Sequence, residues 1–243
     1  MRRSAAIAAF LLALPAAASA AELAGERADT RVAPTSYLGV EVDRDQAFDA
    51  DAAARHAFLG DVLSVLEKND TRIAKNTVAA LKAGVVRLNT LDRLTIEDCG
   101  QLLRENPRLW DGIAAPDDCG KRVPREVLAR VSGFQNGNRI YVNPLRAPDE
   151  MASTVVHELN HFVNDSNAHY ATAADIAREE YRAFWVVQQF EDHGRNAGAA
   201  WHGWMKRFIV TEYALDPVRP QDLPDVPTGN LDNSFAAGLV SVR

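Results

Sequence analysis

The stretch Thr154–Asp165, TVVHELNHFVND, restricts the fold more than any other part of the chain. His157 and His161 are four residues apart, so on a helix they stand one above the other on the same face. Val155, Val156, Leu159, Phe162 and Val163 form a neighbouring apolar arc that needs a core to pack on. A helix of this make-up is drawn inward on one side and carries imidazoles along the edge of that side. The open question is whether these imidazoles form a metal site on one turn of helix. The bland alternative is a helix whose histidines are surface groups, or core groups satisfied one at a time.

The rest of the chain supplies elements for such a fold. Residues 1–20 combine Arg2 and Arg3, an apolar run from Ala5 to Leu14, and the small residues Ala18-Ser19-Ala20. That is the pattern of a secretory signal peptide, and the expectation is a secreted or periplasmic protein cleaved near Ala20. The run is shorter than the ~20 residues of a spanning helix, so no stable membrane anchor is expected. After it, YLGVEVDRD has room for a short strand, and the pattern turns helical from Phe48 to Asn69, from about Thr71 to Lys82, and again from an N-cap at Thr95 to Asn106. Cys99 and Cys119 are the only cysteines. An even count in an exported chain predicts one disulfide across the Pro-rich connection that follows, worth roughly 3 kcal/mol.

A short helix from Pro124 to about Val131 precedes the clearest β signal, GFQNGNRIYVNP, in which Asn136-Gly137 marks a tight turn and Ile140 and Val142 alternate with Arg139 and Tyr141. Helices are then predicted from Pro148 through the histidines, from about Thr172 to Gly194, and from Ala199 to Tyr213. The expectation is an α+β, predominantly helical protein. It has a mainly helical region at 21–130, a metal-binding region at 131–215 and a Pro-rich extended tail at 216–243. The net charge of −6, with no basic stripe, argues against a nucleic-acid partner.

His157-Glu158-x-x-His161 is the H-E-x-x-H pattern, two nitrogen ligands with a glutamate placed to act as general base. Catalytic zinc takes three protein ligands and keeps one position open. A glycine-containing metzincin continuation fails at Asn164 and Asn167, and His169 and Asp175 have no matching frame. Cys99 could serve only as a free thiolate, as in peptide deformylases, which the expected disulfide denies it. Glu179 and Glu180, in REEYRAFW, remain. They follow His161 by eighteen and nineteen residues, room for a turn and an antiparallel helix that returns a carboxylate over the metal.

Here the sequence resembles the gluzincin metallopeptidases, the thermolysin-like clan, over residues 135–190. In several of their branches the glutamate ligand sits in an E-x-x-A frame, matched by Glu180-Tyr181-Arg182-Ala183. The resemblance implies a minimal zincin-like core: an edge β-hairpin, the histidine helix and the glutamate helix. It further implies one Zn2+ per chain on His157, His161 and Glu180, with Glu179 as the alternative ligand, and Glu158 as the base that hydrolyses a peptide or protein substrate lying along the edge strand NRIYVNP. An oxyanion stabiliser is expected among Tyr170, Tyr181, His193, His202 and Tyr213. The chain departs from the family where Phe184 stands in place of an aspartate that orients a histidine; Asp165 or Asp175 is the expected substitute. Two other readings remain open: a zinc-binding interaction domain that cleaves nothing, and a zinc amidase acting on a non-protein amide.

Overall fold

Strand β5, Arg139–Val142, is the centre of the architecture, because both of its edges are paired and its two faces meet different cores. The computed structural model describes residues 36–37, 40–41, 52–92, 94–105, 109, 111–112, 123–165, 172–194, 198–213 and 215–223. The expected signal peptide, Cys119 with the expected bridge to Cys99, His169, Tyr170 and the tail beyond 223 lie outside these residues. In chain order the elements are β1 (Ser36–Tyr37), β2 (Val40–Glu41), α1 (Ala52–Lys68), α2 (Arg72–Lys82), β3 (Arg87–Thr90), α3 (Ile96–Glu105) and α4 (Arg125–Leu128). They continue with β4 (Gly133–Asn136), β5, α5 (Pro148–Asp165), α6 (Ala173–Glu191), α7 (Ala199–Glu212) and a short 3-10 turn at Pro220–Asp222. The protein is α+β and mostly helical, as its periodicity predicts.

The main sheet has the order β3-β5-β4, with β5 antiparallel to β4 and parallel to β3. The hairpin turn falls at Gly137-Asn138, one residue later than Asn136-Gly137 predicts, and places Gly137 at φ +57, where a side chain would be strained. Strand β5 is therefore interior, and NRIYVNP is not the edge strand that the family resemblance implies; β3 and β4 are the outer strands. The reason is β3. Its four residues, RLNT, show too short a pattern to announce a strand, and their pairing is with residues about fifty positions downstream.

Alternation along β5 separates the cores. Ile140 and Val142 join a cluster with Leu59, Leu63 and Leu66 of α1, Ile73 and Leu81 of α2, and Val155, Val156 and Leu159 of α5. Tyr141 points the other way, to Leu102 of α3, Val127 and Leu128 of α4, and Phe134 of β4. The region before residue 131 thus shares a core with the histidine helix. Val155, Val156 and Leu159 are fully buried, about 1.5–3 kcal/mol of hydrophobic stabilisation each.

Helix α5 ends against α6 in an antiparallel pair. Ser153 Oγ donates to Glu191 at 2.7 Å near one end, and Asn160 Nδ2 donates to Glu179 at 2.9 Å nearer the other. Thr172 and Asp175 close a capping box that sets where α6 begins. Asp175 is occupied there, by Thr172 and by Arg178 at 3.0 Å, so the expected role for it beside a histidine is not what the fold gives it. Helix α7 packs on α6 through Tyr181, Phe184, Met205 and Ile209. The first part of the expected extended tail instead folds back onto α7: Leu223 is buried in the same cluster as Leu215, and Lys206 Nζ donates to the Leu223 carbonyl at 3.1 Å. Among the described residues no helix is long and apolar enough to cross a membrane.

Candidate metal centre

The apolar arc of α5 settles on the core and turns His157 and His161 towards α6, where Glu180 faces both. The two Nε2 atoms are 3.0 Å apart. Glu180 Oε2 lies 3.3 Å from His157 Nε2, and Oε1 lies 3.6 Å from His161 Nε2. Zinc held tetrahedrally at 2.0–2.1 Å separates its ligand atoms by about 3.3 Å. The three side chains therefore already stand at separations a small tetrahedral cation requires. Among the described residues theirs is the one group of three whose ligand atoms fall within 4.8 Å of one another.

All of these side chains are buried: His157, Glu158, His161 and Glu180 are each 2% exposed or less. Burial disfavours the charge on each group, and the neighbours decide which charge survives. Burial pushes His157 down, opposed by Glu180, and it titrates below the usual histidine range. Burial pushes His161 down too, but Glu180, Glu179 and Glu158 override it and raise it to about 9. Burial would raise Glu180, yet His161 and His157 hold it below the usual carboxylate range. Glu180, Glu179 and Glu158 all act on His161, and the facing ligand atoms of His157, His161 and Glu180 could hold a divalent cation.

Glu158 stands between the histidines in sequence and against strand β4 in space. A Cβ on Gly133 would fall 2.8 Å from Glu158 Oε1 and 2.3 Å from Thr154 Cγ2. Only glycine lets β4 approach the glutamate this closely. Nothing in the strand pattern marks Gly133; it opens β4 and reads as punctuation.

The other expected residues divide into two sets. The Tyr213 hydroxyl is close enough to the Glu180 carboxylate to help hold it ionised. Tyr181 and His202 are taken up with each other, hydroxyl to Nδ1 at 2.6 Å, in an aromatic group with Trp201 and Trp185. His193 pairs with Asp70 on the surface at 2.9 Å. Glu179, the alternative ligand, is absent from the facing group and lies on the opposite side of His161, with Oε1 3.6 Å from Nδ1. Phe184, at the position where the resembled family carries an orienting aspartate, rests its ring on His157 with centroids 4.6 Å apart. Sequence reasoning passed over Asn160 and Asn164, both of which donate to Glu179. Their signal was a second i,i+4 pair on the same helix, one residue before the second histidine and three after it.

Compared with protein-family models, curated protein sequences and solved structures, the chain matches none.

Proposed function

We propose that this protein is an exported zinc-dependent hydrolase of the gluzincin type, acting on peptide bonds. The observation that carries the reading is the convergence of His157, His161 and Glu180, with the buried Glu158 between the two histidines in sequence and acting on His161. Two imidazole nitrogens and one carboxylate are a donor set suited to zinc, and three protein ligands leave a fourth position for chemistry. Zinc, when bound, supplies Lewis acidity that polarises a carbonyl and brings the pKa of a water towards ~7.

The chain's own part follows from where the groups stand. His157, His161 and Glu180 hold the ion, and the buried setting strengthens every interaction among them. Glu158 takes the proton of the attacking water and delivers it to the leaving nitrogen. Gly133 keeps β4 flush against that carboxylate and limits where it can point. Of the expected oxyanion stabilisers, Tyr213 is favoured, because its hydroxyl helps to hold Glu180 ionised whereas Tyr181 and His202 engage each other. Export rests on the first twenty residues.

One observation favours a second reading. With the whole group at 2% exposure or less, the centre also suits a zinc-binding domain that holds its ion and cleaves nothing. The same experiment separates the two. Purified protein is analysed for metal and offered a peptide library, alongside Glu158→Gln. The hydrolase reading expects about one zinc per chain in both proteins, cleavage by the wild type, and a loss of roughly 10²–10⁴-fold in the variant. Zinc in both with no cleavage by either supports the binding domain, and no peptide cleavage but cleavage in a parallel panel of non-protein amides supports an amidase.

A further inference from the structure

Glu179 is buried one residue before the facing glutamate, and its surroundings are built rather than incidental. Consecutive residues on a helix point about 100° apart, so α6 sends Glu180 to the Nε2 side of the histidines and Glu179 to the Nδ1 side of His161. Glu179 Oε1 accepts from Asn160 Nδ2 at 2.9 Å and from Asn164 Nδ2 at 2.8 Å. Asn164 is itself held: its Oδ1 accepts from Arg182 at 3.3 Å, and its amide nitrogen also donates to the Asn160 carbonyl at 3.0 Å. The amide end of Asn164 is thereby turned towards the carboxylate. A histidine that offers Nε2 to a metal carries its proton on Nδ1, and that N–H needs an acceptor. His161 Nδ1 is buried and makes no hydrogen bond as it stands, and Glu179 Oε1 at 3.6 Å is the carboxylate facing it.

We propose that Glu179 is the positioning residue of the metal centre, accepting the Nδ1–H of His161 and fixing Nε2 as the nitrogen that faces Glu180. The proposal rests on the reading of the site as a metal centre. The 3.6 Å separation exceeds a made hydrogen bond, and closing it takes a shift of about half an ångström. His157 has a different support: its ring packs edge-on against Phe184. One histidine is thus held by a carboxylate and the other by packing. Asn160, Asn164 and Arg182 hold the carboxylate in turn.

Glu179→Gln tests this, because glutamine keeps the shape and the Oε1 that accepts from both asparagine amides but gives the His161 Nδ1–H a neutral acceptor in place of a charged, stronger one, so a role limited to packing would leave metal binding unchanged. Zinc affinity is measured by competition with a chromophoric chelator, and the Co2+-substituted protein by its visible absorption. The expected result is affinity about 10–100-fold below wild type and a shifted cobalt spectrum. Wild-type affinity and an unchanged spectrum would overturn the proposal. Should Glu179→Gln not fold, Asn164→Ala frees Glu179 from one side without touching the ring; it is expected to weaken zinc binding by a smaller factor, and unchanged affinity would overturn the proposal equally. Wild-type protein that takes up neither zinc nor cobalt would refute the metal-centre reading and this inference with it. Loading of the wild type with no effect of Glu179→Gln would refute the role of Glu179 alone.

Discussion

Two buried carboxylate clusters flank the sheet, and they are built on opposite principles. On the α3 side, Asp98 is fully buried and accepts from Asn136 Nδ2 at 2.5 Å, from Arg139 at 2.8 Å and from the Tyr141 hydroxyl. Burial would raise its pKa, but Arg139, Tyr141, Asn136 and Thr95 outweigh it, and Asp98 stays ionised below the usual range. One anion meets one cation and a ring of donors. On the α5 side, Glu158, Glu179 and Glu180 surround two imidazoles, and the ligand atoms of His157, His161 and Glu180 face one another. The first cluster is complete and fastens α3 to the hairpin. The second could hold a metal ion on its facing ligand atoms, and on the proposed reading a cation completes it, which would be the physical difference between a polar staple and a binding site.

The largest expected effects break the second cluster. Glu180→Ala should weaken zinc binding beyond the roughly 100-fold that marks the upper range for outer-lying residues, while Glu158→Gln should keep the ion and lose hydrolysis by about 10³-fold. Chelator competition and peptide cleavage on the same preparations check both. The mirror-image change, Asp98→Ala, takes from Arg139, Asn136 and Tyr141 the carboxylate they share. It should cost roughly 3 kcal/mol, lowering Tm by about 10 °C, and leave zinc affinity as it was. Weakened zinc binding in that variant would show that the two clusters are not independent.

A smaller effect sharpens the comparison at Gly133, which lies between the two sets of contacts. Gly133→Ala should destabilise by roughly 1–3 kcal/mol through overpacking, since its Cβ meets Thr154 Cγ2 at 2.3 Å and Glu158 Oε1 at 2.8 Å. Adding Thr154→Ser removes the first clash and keeps the hydroxyl that donates to the Glu150 carbonyl. The double variant should recover stability and not hydrolysis, because Glu158 is still displaced; thermal melts and cleavage rates report the two separately.

The smallest effect is a pH dependence belonging to Asp98. Its folded pKa lies below the ordinary 3.8, so the stability it contributes is present above that value and is lost as pH falls through the folded pKa. The difference between wild type and Asp98→Asn, measured by denaturant unfolding with chelator present, should be level from pH 8 to about pH 5 and shrink below 3.8. A difference that shrinks towards alkaline pH would contradict the assignment of Asp98 as the ionised centre of the staple.

Much of this molecule was legible from local pattern. The helices α2, α3, α5 and α6 begin where Thr71, Thr95, Pro148 and Thr172 signal, and the hairpin turns within one residue of its glycine. The histidine pair and the following glutamates also announced themselves, because their spacing is a property of single helices. What escaped depends on distant pairing or on the exact seating of two elements. Strand β3 is a strand because β5 lies beside it, and that contact displaces NRIYVNP from the edge to the centre. Glu179 and Glu180 could not be told apart in sequence, since the choice rests on the rotation of α6 against α5. Asn160 and Asn164 express that rotation: they take Glu179, and Glu180 is left to face the imidazoles.

On the proposed reading the α5–α6 cluster is a metal centre. Metal analysis of purified wild type and His157→Ala, each stripped with chelator and dialysed against zinc, tests it most directly. About one zinc per wild-type chain and none above background in the variant is the expected result; a wild type that retains no zinc, or a variant that retains as much, would contradict a metal centre here.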